Sequence, residues 1–264
     1  MSISPTSLPA TWQNHVLKTD DSSAQLDLSK PISTSTVRVN VEPTPPEFGE
    51  LYASLERQVS GIGDVTQIAG AALEATHPYV LGVTSAIAGE GKTSVALHLA
   101  LTIARDTFKR VCLMDLSLGG ESLTRRLSIP DGGVGLVPAI EGVDERVPTL
   151  QIGGLDNLSI VPAGRIPGNP QKLARSPRLA ETIASVRHMF DVIVVDMPST
   201  TSGNALPLAR HMDGVIMVAR AGATPSDMVA QAIDNIGRER VVGVVMNRMR
   251  SHVPAWLRSK LGRF

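Results

Sequence analysis

A lysine and two hydroxyl side chains follow a glycine-containing segment at the end of a short apolar run. The segment reads Gly89, Glu90, Gly91, Lys92, Thr93 and Ser94, and it leads into a helical pattern. Glycines let the backbone turn its N–H groups towards an anion, and a helix N-terminus favours negative charge. Lys92 is placed to reach the β- and γ-phosphates of a nucleotide, and Thr93 to bind Mg²⁺. Gly89 to Ser94 therefore predict a phosphate loop, although Ala86 stands where the strict motif has its first glycine.

Two aspartates end apolar runs further along the chain. Asp115 follows Val111 to Met114, and Asp196 follows Val192 to Val195. An unpaired carboxylate is costly to bury, and coordination of Mg²⁺ would relieve that cost. With Lys92 they form a predicted catalytic set, and with Thr93 a predicted metal site. For each aspartate alone, a turn at the end of a strand is the alternative.

Asn247 and Arg248 follow a third apolar run, Gly243 to Met246. At the end of a strand they could present an amide to the edge of a nucleotide base, so they are candidate cofactor-binding residues. A polar strand terminus without a ligand is an equally good interpretation.

The elements that would position these residues alternate between strand and helix. Several predicted strands are apolar at consecutive positions, as in parallel strands covered on both faces. Predicted helices begin at Ser176-Pro177 and Thr224-Pro225, where a capping side chain precedes a proline. The pattern predicts an α/β domain with a doubly wound, mostly parallel sheet in a Rossmann-like three-layer sandwich. The predicted strands are Val80–Ser85, Arg110–Leu116, Leu158–Ala163, Asp191–Met197, Gly214–Arg220 and Val241–Met249.

Three segments are predicted along the chain. Residues 1–46 contain eight Ser, six Thr and six Pro and show no apolar period, so we expect a disordered or loosely attached tail. Residues 47–250 form the nucleotide-binding domain, which opens with a helix at about Phe48 to Val59. Residues 251–264 form a basic amphipathic tail that contacts either a partner or anionic lipid; a solvated tail is the alternative.

Charge and cysteine content narrow the function classes. Lys+Arg and Asp+Glu both number 25, so no overall field favours nucleic acid. The single cysteine, Cys112, lies in an apolar run and is predicted to be a buried small hydrophobic residue. No apolar run approaches the roughly 18 residues needed to span a bilayer, so a cytoplasmic location is expected.

Together these motifs resemble the bacterial tyrosine kinases of capsule and exopolysaccharide synthesis, P-loop NTPases related to septum-positioning and plasmid-partition ATPases. The resemblance implies ATP and Mg²⁺ as cofactors and phosphoryl transfer as the activity. It also implies a membrane chain-length or co-polymerase protein as partner, homo-oligomers, no nucleic acid, and a place at the inner face of the cell membrane. The segments that carry it are Thr84–Thr93, Pro162–Pro170, Phe190–Pro198, Asp213–Val218 and Gly243–Arg248.

The chain departs from the family pattern at several positions. Ala88 replaces a usual proline, Ser117 replaces the second aspartate of the family's Asp-x-Asp-x-Arg motif, and Ala53 replaces an arginine of the self-association helix. The C-terminus lacks the tyrosine cluster, since the chain has only Tyr52 and Tyr79. We therefore expect a kinase-like component with reduced phosphoryl transfer; the alternatives are a nucleotide-dependent regulatory subunit and a partition-type ATPase. Ile87 argues against the last, because partition ATPases carry a second lysine there.

Overall fold

The computed structural model describes residues 33–37, 69–119, 123, 135–144, 146–151, 155–165 and 167–248. Its strands are β1 (Ser33–Val37), β2 (Tyr79–Ser85), β3 (Val111–Asp115), β4 (Arg146–Gln151), β5 (Leu158–Val161), β6 (Val192–Asp196), β7 (Gly214–Arg220) and β8 (Val241–Asn247). Its α-helices are α1 (Gly70–Glu74), α2 (Lys92–Asp106), α3 (Leu136–Glu141), α4 (Pro170–Ala174), α5 (Pro177–Arg187), α6 (Ala205–Ala209) and α7 (Ser226–Ile236). Short 3₁₀ helices lie at Thr200–Ser202 and Arg238–Arg240.

The strands form one sheet in the order β1-β4-β5-β3-β6-β2-β7-β8. Neighbouring strands are parallel except β4 and β5, which are antiparallel. From β2 the chain crosses to β3 on one side, and from β6 it crosses over β2 to β7 on the other. Ligands of such sheets bind beyond the carboxyl ends of the strands where the direction of winding reverses. A ligand site is therefore expected at the carboxyl ends of β2, β3 and β6.

Apolar side chains cover both faces of the sheet. On one face, alternate residues such as Leu81, Leu113 and Val194 pack with α1 and α2. On the other, residues such as Met114 and Val195 pack with α3 to α7. Because each central strand is covered on both faces, its sequence is apolar at consecutive positions. The predicted doubly wound three-layer α/β fold is confirmed.

All six predicted strands are present, and within the described residues their ends differ from the predicted ones by at most two positions. Gly214–Arg220 has the predicted bounds, and the run around Asp115 is a residue shorter at each end. Cys112 is fully buried in the core, as predicted, and this burial raises the pKa of its thiol far above the usual value.

Within the described ranges, two strands were not predicted. β1 lies within the segment 1–46, where no regular element was expected, and pairs with β4 in parallel. Its sequence, Ser-Thr-Ser-Thr-Val, has β-branched residues but little apolar character, so the sequence pattern does not identify it as a strand. Its pairing with β4 in the folded structure does. β4 contains Pro148, which weakens a strand prediction because proline cannot donate to the ladder.

The two predicted helix starts have different outcomes. α5 begins at Pro177 after Ser176, as predicted, although the Ser176 side chain makes no capping hydrogen bond. α7 begins at Ser226, and Pro225 rather than Thr224 occupies the capping position. The Thr224 hydroxyl is engaged elsewhere, since it accepts from the N–H of Arg220 and donates to Glu90.

The predicted helix at Phe48 to Val59, most of the 1–46 segment and the 251–264 segment lie outside the described residues. Within the described ranges, none of the helices has the length and apolar character required to cross a bilayer.

Candidate nucleotide-binding site

The phosphate loop joins the carboxyl end of β2 to the first turn of α2. Gly89 has φ 81° and Gly91 has φ 95°, left-handed conformations that favour glycine. Gly91 is also close to a neighbour, because a Cβ there would overlap the side-chain amide of Asn247. α2 begins immediately afterwards at Lys92. Glycine is therefore favoured at Gly89 and Gly91 by the turn, and at Gly91 also by the close approach of the Asn247 side chain from β8.

The side chain of Glu90 holds this loop against β7. It is only 1% exposed, and its Oε2 accepts from the N–H of Ile87 at 3.1 Å. Its Oε1 accepts from the N–H of Arg220 at 3.1 Å and from the hydroxyl of Thr224. The predicted cofactor contact of Glu90 can therefore come only from its backbone, because the carboxylate is already bound by protein donors.

Asn247, at the end of β8, holds the same loop from another side. Its Nδ2 donates to the carbonyl oxygen of Glu90 at 2.7 Å, and its Oδ1 accepts from the N–H of Arg248 at 2.8 Å. These bonds use the amide that the sequence suggested for a nucleotide base. The structure thus gives Asn247 a loop-positioning contact, and the base contact stays a prediction.

A cavity of about 530 Å³ lies beside the loop. Its wall includes most of the predicted loop residues together with polar residues from two other loops. It is lined by Ala88, Gly89, Gly91, Lys92, Thr93, Ser94, Ser117, Leu118, Gly119, Pro198, Ser199, Ser202, Asn204 and Arg248. The volume and the mixed polar lining suit a small charged ligand.

The two predicted aspartates lie next to each other at strand ends. Asp115 on β3 is the register partner of Asp196 on β6, and both are fully buried. Register partners on parallel strands point to the same face and lie about 4.8 Å apart. Alternate residues Leu113 and Val194 pack towards α2, so both carboxylates lie on the face from which the phosphate loop leads into α2.

Neither aspartate lines the cavity itself, but each is close in sequence to residues that do. Ser117, in the cavity wall, donates from its hydroxyl (2.8 Å) and its N–H (3.2 Å) to Asp115 Oδ1. Pro198 follows Asp196 by two residues, and its carbonyl oxygen accepts from the hydroxyl of Thr84 at 2.6 Å. The loops after β3 and β6 therefore bring the carboxylates to the cavity edge.

The oxygen atoms of Thr93, Asp115 and Asp196 suit a hard divalent cation. A hydroxyl at the start of α2 and two adjacent carboxylates are oxygen ligands of the kind that Mg²⁺ prefers. At Gly89 a Cβ would meet no atom within 4 Å, so the loop has space there for a phosphate. These residues therefore fit a magnesium ion that accompanies a nucleotide.

Some lining residues were not found from the sequence, and they come from the loops after β3 and β6. Ser199, Ser202 and Asn204 belong to a polar run that follows the strand-end Asp196, and Ser117 was treated only as a lost carboxylate. Their position in the sequence could have identified them, because polar residues that directly follow a parallel strand lie at the carboxyl edge of the sheet.

Comparison with known proteins places the chain among nucleotide-binding proteins. The ParA family model, described as NUBPL iron-transfer P-loop NTPase, matches residues 77–257. The tyrosine-protein kinase CpsD of Streptococcus agalactiae serotype III (strain NEM316) is 25% identical over 180 residues, which cover 67% of this chain and 77% of the relative. The succinoglycan biosynthesis transport protein ExoP of Rhizobium meliloti (strain 1021) is 29% identical over 185 residues, 67% of this chain but 23% of the relative.

Among solved structures, the kinase domain of VpsO superposes with a TM-score of 0.65 at 26% identity. The match covers 77% of this chain and 99% of that domain. The family match spans the phosphate loop, both aspartates and the cavity described above. The chain therefore belongs to the ParA family of P-loop NTPases, and its homologues include bacterial tyrosine kinases.

Proposed function

We propose that this chain binds Mg-ATP in the cavity and transfers its terminal phosphoryl group, as a tyrosine-kinase-like component of exopolysaccharide or capsule biosynthesis and export. One observation supports nucleotide binding most strongly. Lys92 and Thr93 line the same cavity as Ser117, whose hydroxyl donates a hydrogen bond to Asp115. The polysaccharide part is supported by relatives named as tyrosine kinases and as a succinoglycan biosynthesis transport protein.

In this proposal the loop binds the phosphates and Lys92 neutralises their charge. The N–H groups of Gly89 to Ser94 would donate to phosphate oxygens, with the N-terminus of α2 adding a favourable dipole. Lys92 would contact β- and γ-phosphate oxygens as a compact cation. Phosphoryl transfer depends mainly on such positioning and charge stabilisation.

Thr93, Asp115 and Asp196 would hold the magnesium ion. When bound, Mg²⁺ supplies charge neutralisation at the phosphate oxygens. Ser117 fixes the orientation of the Asp115 carboxylate, and Arg248 lines the cavity at the end of β8, where it would contact the base or ribose. The catalytic set is thus Lys92, Asp115 and Asp196.

The proposed partner is a membrane chain-length or co-polymerase protein of the same polysaccharide system. Relatives of this type suggest that the chain works on the cytoplasmic side, at the membrane through its partner. The basic segment 251–264, with Trp256 and Phe264, would add a peripheral contact with a partner or anionic lipid. We also propose that the chain forms homo-oligomers and that it does not bind nucleic acid.

A second candidate is a nucleotide-dependent regulatory subunit that transfers little phosphate. One observation favours it: Ser117 occupies the position of the family's second carboxylate and donates to the remaining one. That substitution reduces the negative charge available for a metal and would slow transfer more than binding. Ile87 makes a partition-type ATPase with a second loop lysine the weakest of the three alternatives.

Mass spectrometry distinguishes the two candidates. Purified protein is incubated with Mg-ATP, alone and with vesicles that carry the membrane partner, and Lys92→Met serves as the control. We expect phosphotyrosine on the partner with wild-type protein only, and little on this chain, because Tyr52 and Tyr79 are its only tyrosines. Bound ATP without phosphorylated product would support the regulatory subunit. Abundant phosphate on Tyr52 or Tyr79, absent with Lys92→Met, would reveal an efficient autokinase instead.

A further inference from the structure

Asn204 is a buried polar residue in the cavity wall whose side-chain oxygen makes no hydrogen bond in the described part of the chain. It is 8% exposed, and its Oδ1 lacks a hydrogen-bond partner there. It occupies the capping position of α6, where an asparagine usually accepts from the first-turn N–H groups, yet it makes no such bond. Its amide oxygen is therefore available to a ligand in the cavity.

Asn157 shows what a structural asparagine looks like in this fold. Its Nδ2 donates to the carbonyl oxygens of Ala104 (2.7 Å), Thr107 (3.1 Å) and Lys109 (3.1 Å) and so holds the end of α2 against the loop before β3. A buried amide without a partner is unfavourable in the folded protein, so an orphaned one in a ligand cavity indicates a bound group.

The loop that carries Asn204 lies at the beginning of the phosphate loop. The Ala86 carbonyl oxygen accepts from the hydroxyl of Thr200 at 3.0 Å and from the N–H of Thr201 at 3.3 Å. The loop also starts directly after Asp196, a proposed metal ligand. Arg248 lines the cavity from the end of β8, which lies on the opposite side of β2 from β6. Asn204 is thus associated with the metal and terminal-phosphate end of the site.

An acceptor at this end needs a donor, and phosphate oxygens of Mg-ATP only accept. The hydroxyl that attacks the terminal phosphate is the donor expected there. We propose that Asn204 Oδ1 accepts a hydrogen bond from this attacking hydroxyl, of water or of an acceptor side chain, and aligns it for transfer. This inference rests on the proposed function and adds a catalytic residue to it.

In the step, a lone pair of the hydroxyl oxygen forms the new P–O bond. The bond between the γ-phosphorus and the β,γ-bridging oxygen breaks, and its electron pair stays on ADP. A neutral amide is not a base, so Asn204 orients the hydroxyl and the proton passes to solvent. Alignment of the attacking group is a recognised source of rate enhancement.

The test compares Asn204→Ala and Asn204→Leu with Asn157→Ala. Three quantities are measured for each: the thermal midpoint without ligand, the Kd for Mg-ADP, and turnover at saturating Mg-ATP. For both Asn204 variants we expect an unchanged or raised midpoint, an Mg-ADP Kd within about twofold of wild type, and turnover lowered about tenfold or more. Asn157→Ala should instead lower the midpoint and leave turnover per folded molecule unchanged.

Other results would overturn the inference. A midpoint that falls in the Asn204 variants as in Asn157→Ala would make Asn204 structural, and wild-type turnover in them would remove its catalytic role. Wild-type protein that binds Mg-ADP but consumes no Mg-ATP would overturn the inference and leave nucleotide binding intact. Wild-type protein that binds no Mg-ADP would overturn the proposed function itself.

Discussion

Gly91 is constrained both by its backbone conformation and by a neighbouring side chain. Its φ of 95° is unfavourable for any side chain, and a Cβ would overlap the Asn247 amide. We expect Gly91→Ala to lower the free energy of unfolding by at least about 1 to 2 kcal/mol and to weaken Mg-ATP binding. Urea denaturation and calorimetric titration measure the two effects.

Gly70→Ala is the matched control. Gly70 begins α1, and a Cβ there would meet no atom within 4 Å. Alanine should leave stability unchanged or raise it by up to about 1 kcal/mol, with no effect on nucleotide affinity. Equal behaviour of the two variants would contradict the importance of the left-handed turn at Gly91.

Asp115 and Asp196 are proposed to act through magnesium. Asparagine keeps the shape of each side chain but removes the charge that a hard cation prefers. Asp115→Asn and Asp196→Asn should each weaken nucleotide binding more in the presence of Mg²⁺ than in EDTA. Titrations under both conditions measure the difference, and equal losses with and without Mg²⁺ would indicate a folding defect.

Local sequence predicted the residues of the phosphate loop better than it predicted the rest of the site. Lys92 and Thr93 were chosen from the motif and both line the cavity, because a short motif fixes a strand, a turn and a helix start together. Glu90 was grouped with them from its position alone, yet its carboxylate bonds to the loop after β7. Asn204 was missed because its place depends on a loop that folds back onto Ala86.

Between elements, the Glu90 carboxylate joins the phosphate loop to the β7–α7 connection. Glu90→Ala would leave the N–H groups of Ile87 and Arg220 and the hydroxyl of Thr224 without this acceptor. We expect the free energy of unfolding to fall by about 3 kcal/mol, measured by urea denaturation. Glu239→Ala is the control, because that side chain is 78% exposed and should change stability by less than about 0.5 kcal/mol. Similar small effects would mean that the loop is held by other contacts.

His211, in the turn between α6 and β7, gives the fold a pH dependence. Burial, with the nearby Arg210 charge, lowers the pKa of His211 from its ordinary 6.5. The unfolded chain therefore binds a proton more readily, so this contribution is present above about pH 6.5 and is lost as the pH falls. The thermal midpoint should drop between pH 7.5 and 5.5, and by less in His211→Gln. An equal drop in both proteins would remove His211 as a cause.

The strand predictions succeeded where burial on both faces imposes apolar residues at consecutive positions, as in β3 and β6. They failed for β1 and β4, at one side of the sheet. β1 consists mainly of hydroxyl residues, and β4 contains a proline, so neither carries the pattern of a central strand. Pairing between distant segments defines these strands, and a single sequence does not display it.

For the whole molecule, the winding of the sheet explains why one cavity gathers residues from distant parts of the chain. The reversal of winding around β2 and β6 brings the phosphate loop, the loop after β3, the loop after β6 and the end of β8 to one edge. The ParA family match from 77 to 257 spans these segments. Lys92 is the residue through which this edge is proposed to bind a magnesium nucleotide.

Isothermal titration of Mg-ATP into wild-type protein, Lys92→Met and Lys172→Met measures how much Lys92 contributes to nucleotide binding. Lys172 lies exposed on α4 and is not part of the cavity wall, so its variant controls for the loss of a positive charge. We predict one saturable site in wild type, the same affinity in Lys172→Met, and affinity reduced about tenfold or more in Lys92→Met, whose fold is checked by circular dichroism. Wild-type affinity in a folded Lys92→Met protein would show that Lys92 does not bind the nucleotide phosphates and that Gly89 to Ser94 are not a phosphate loop.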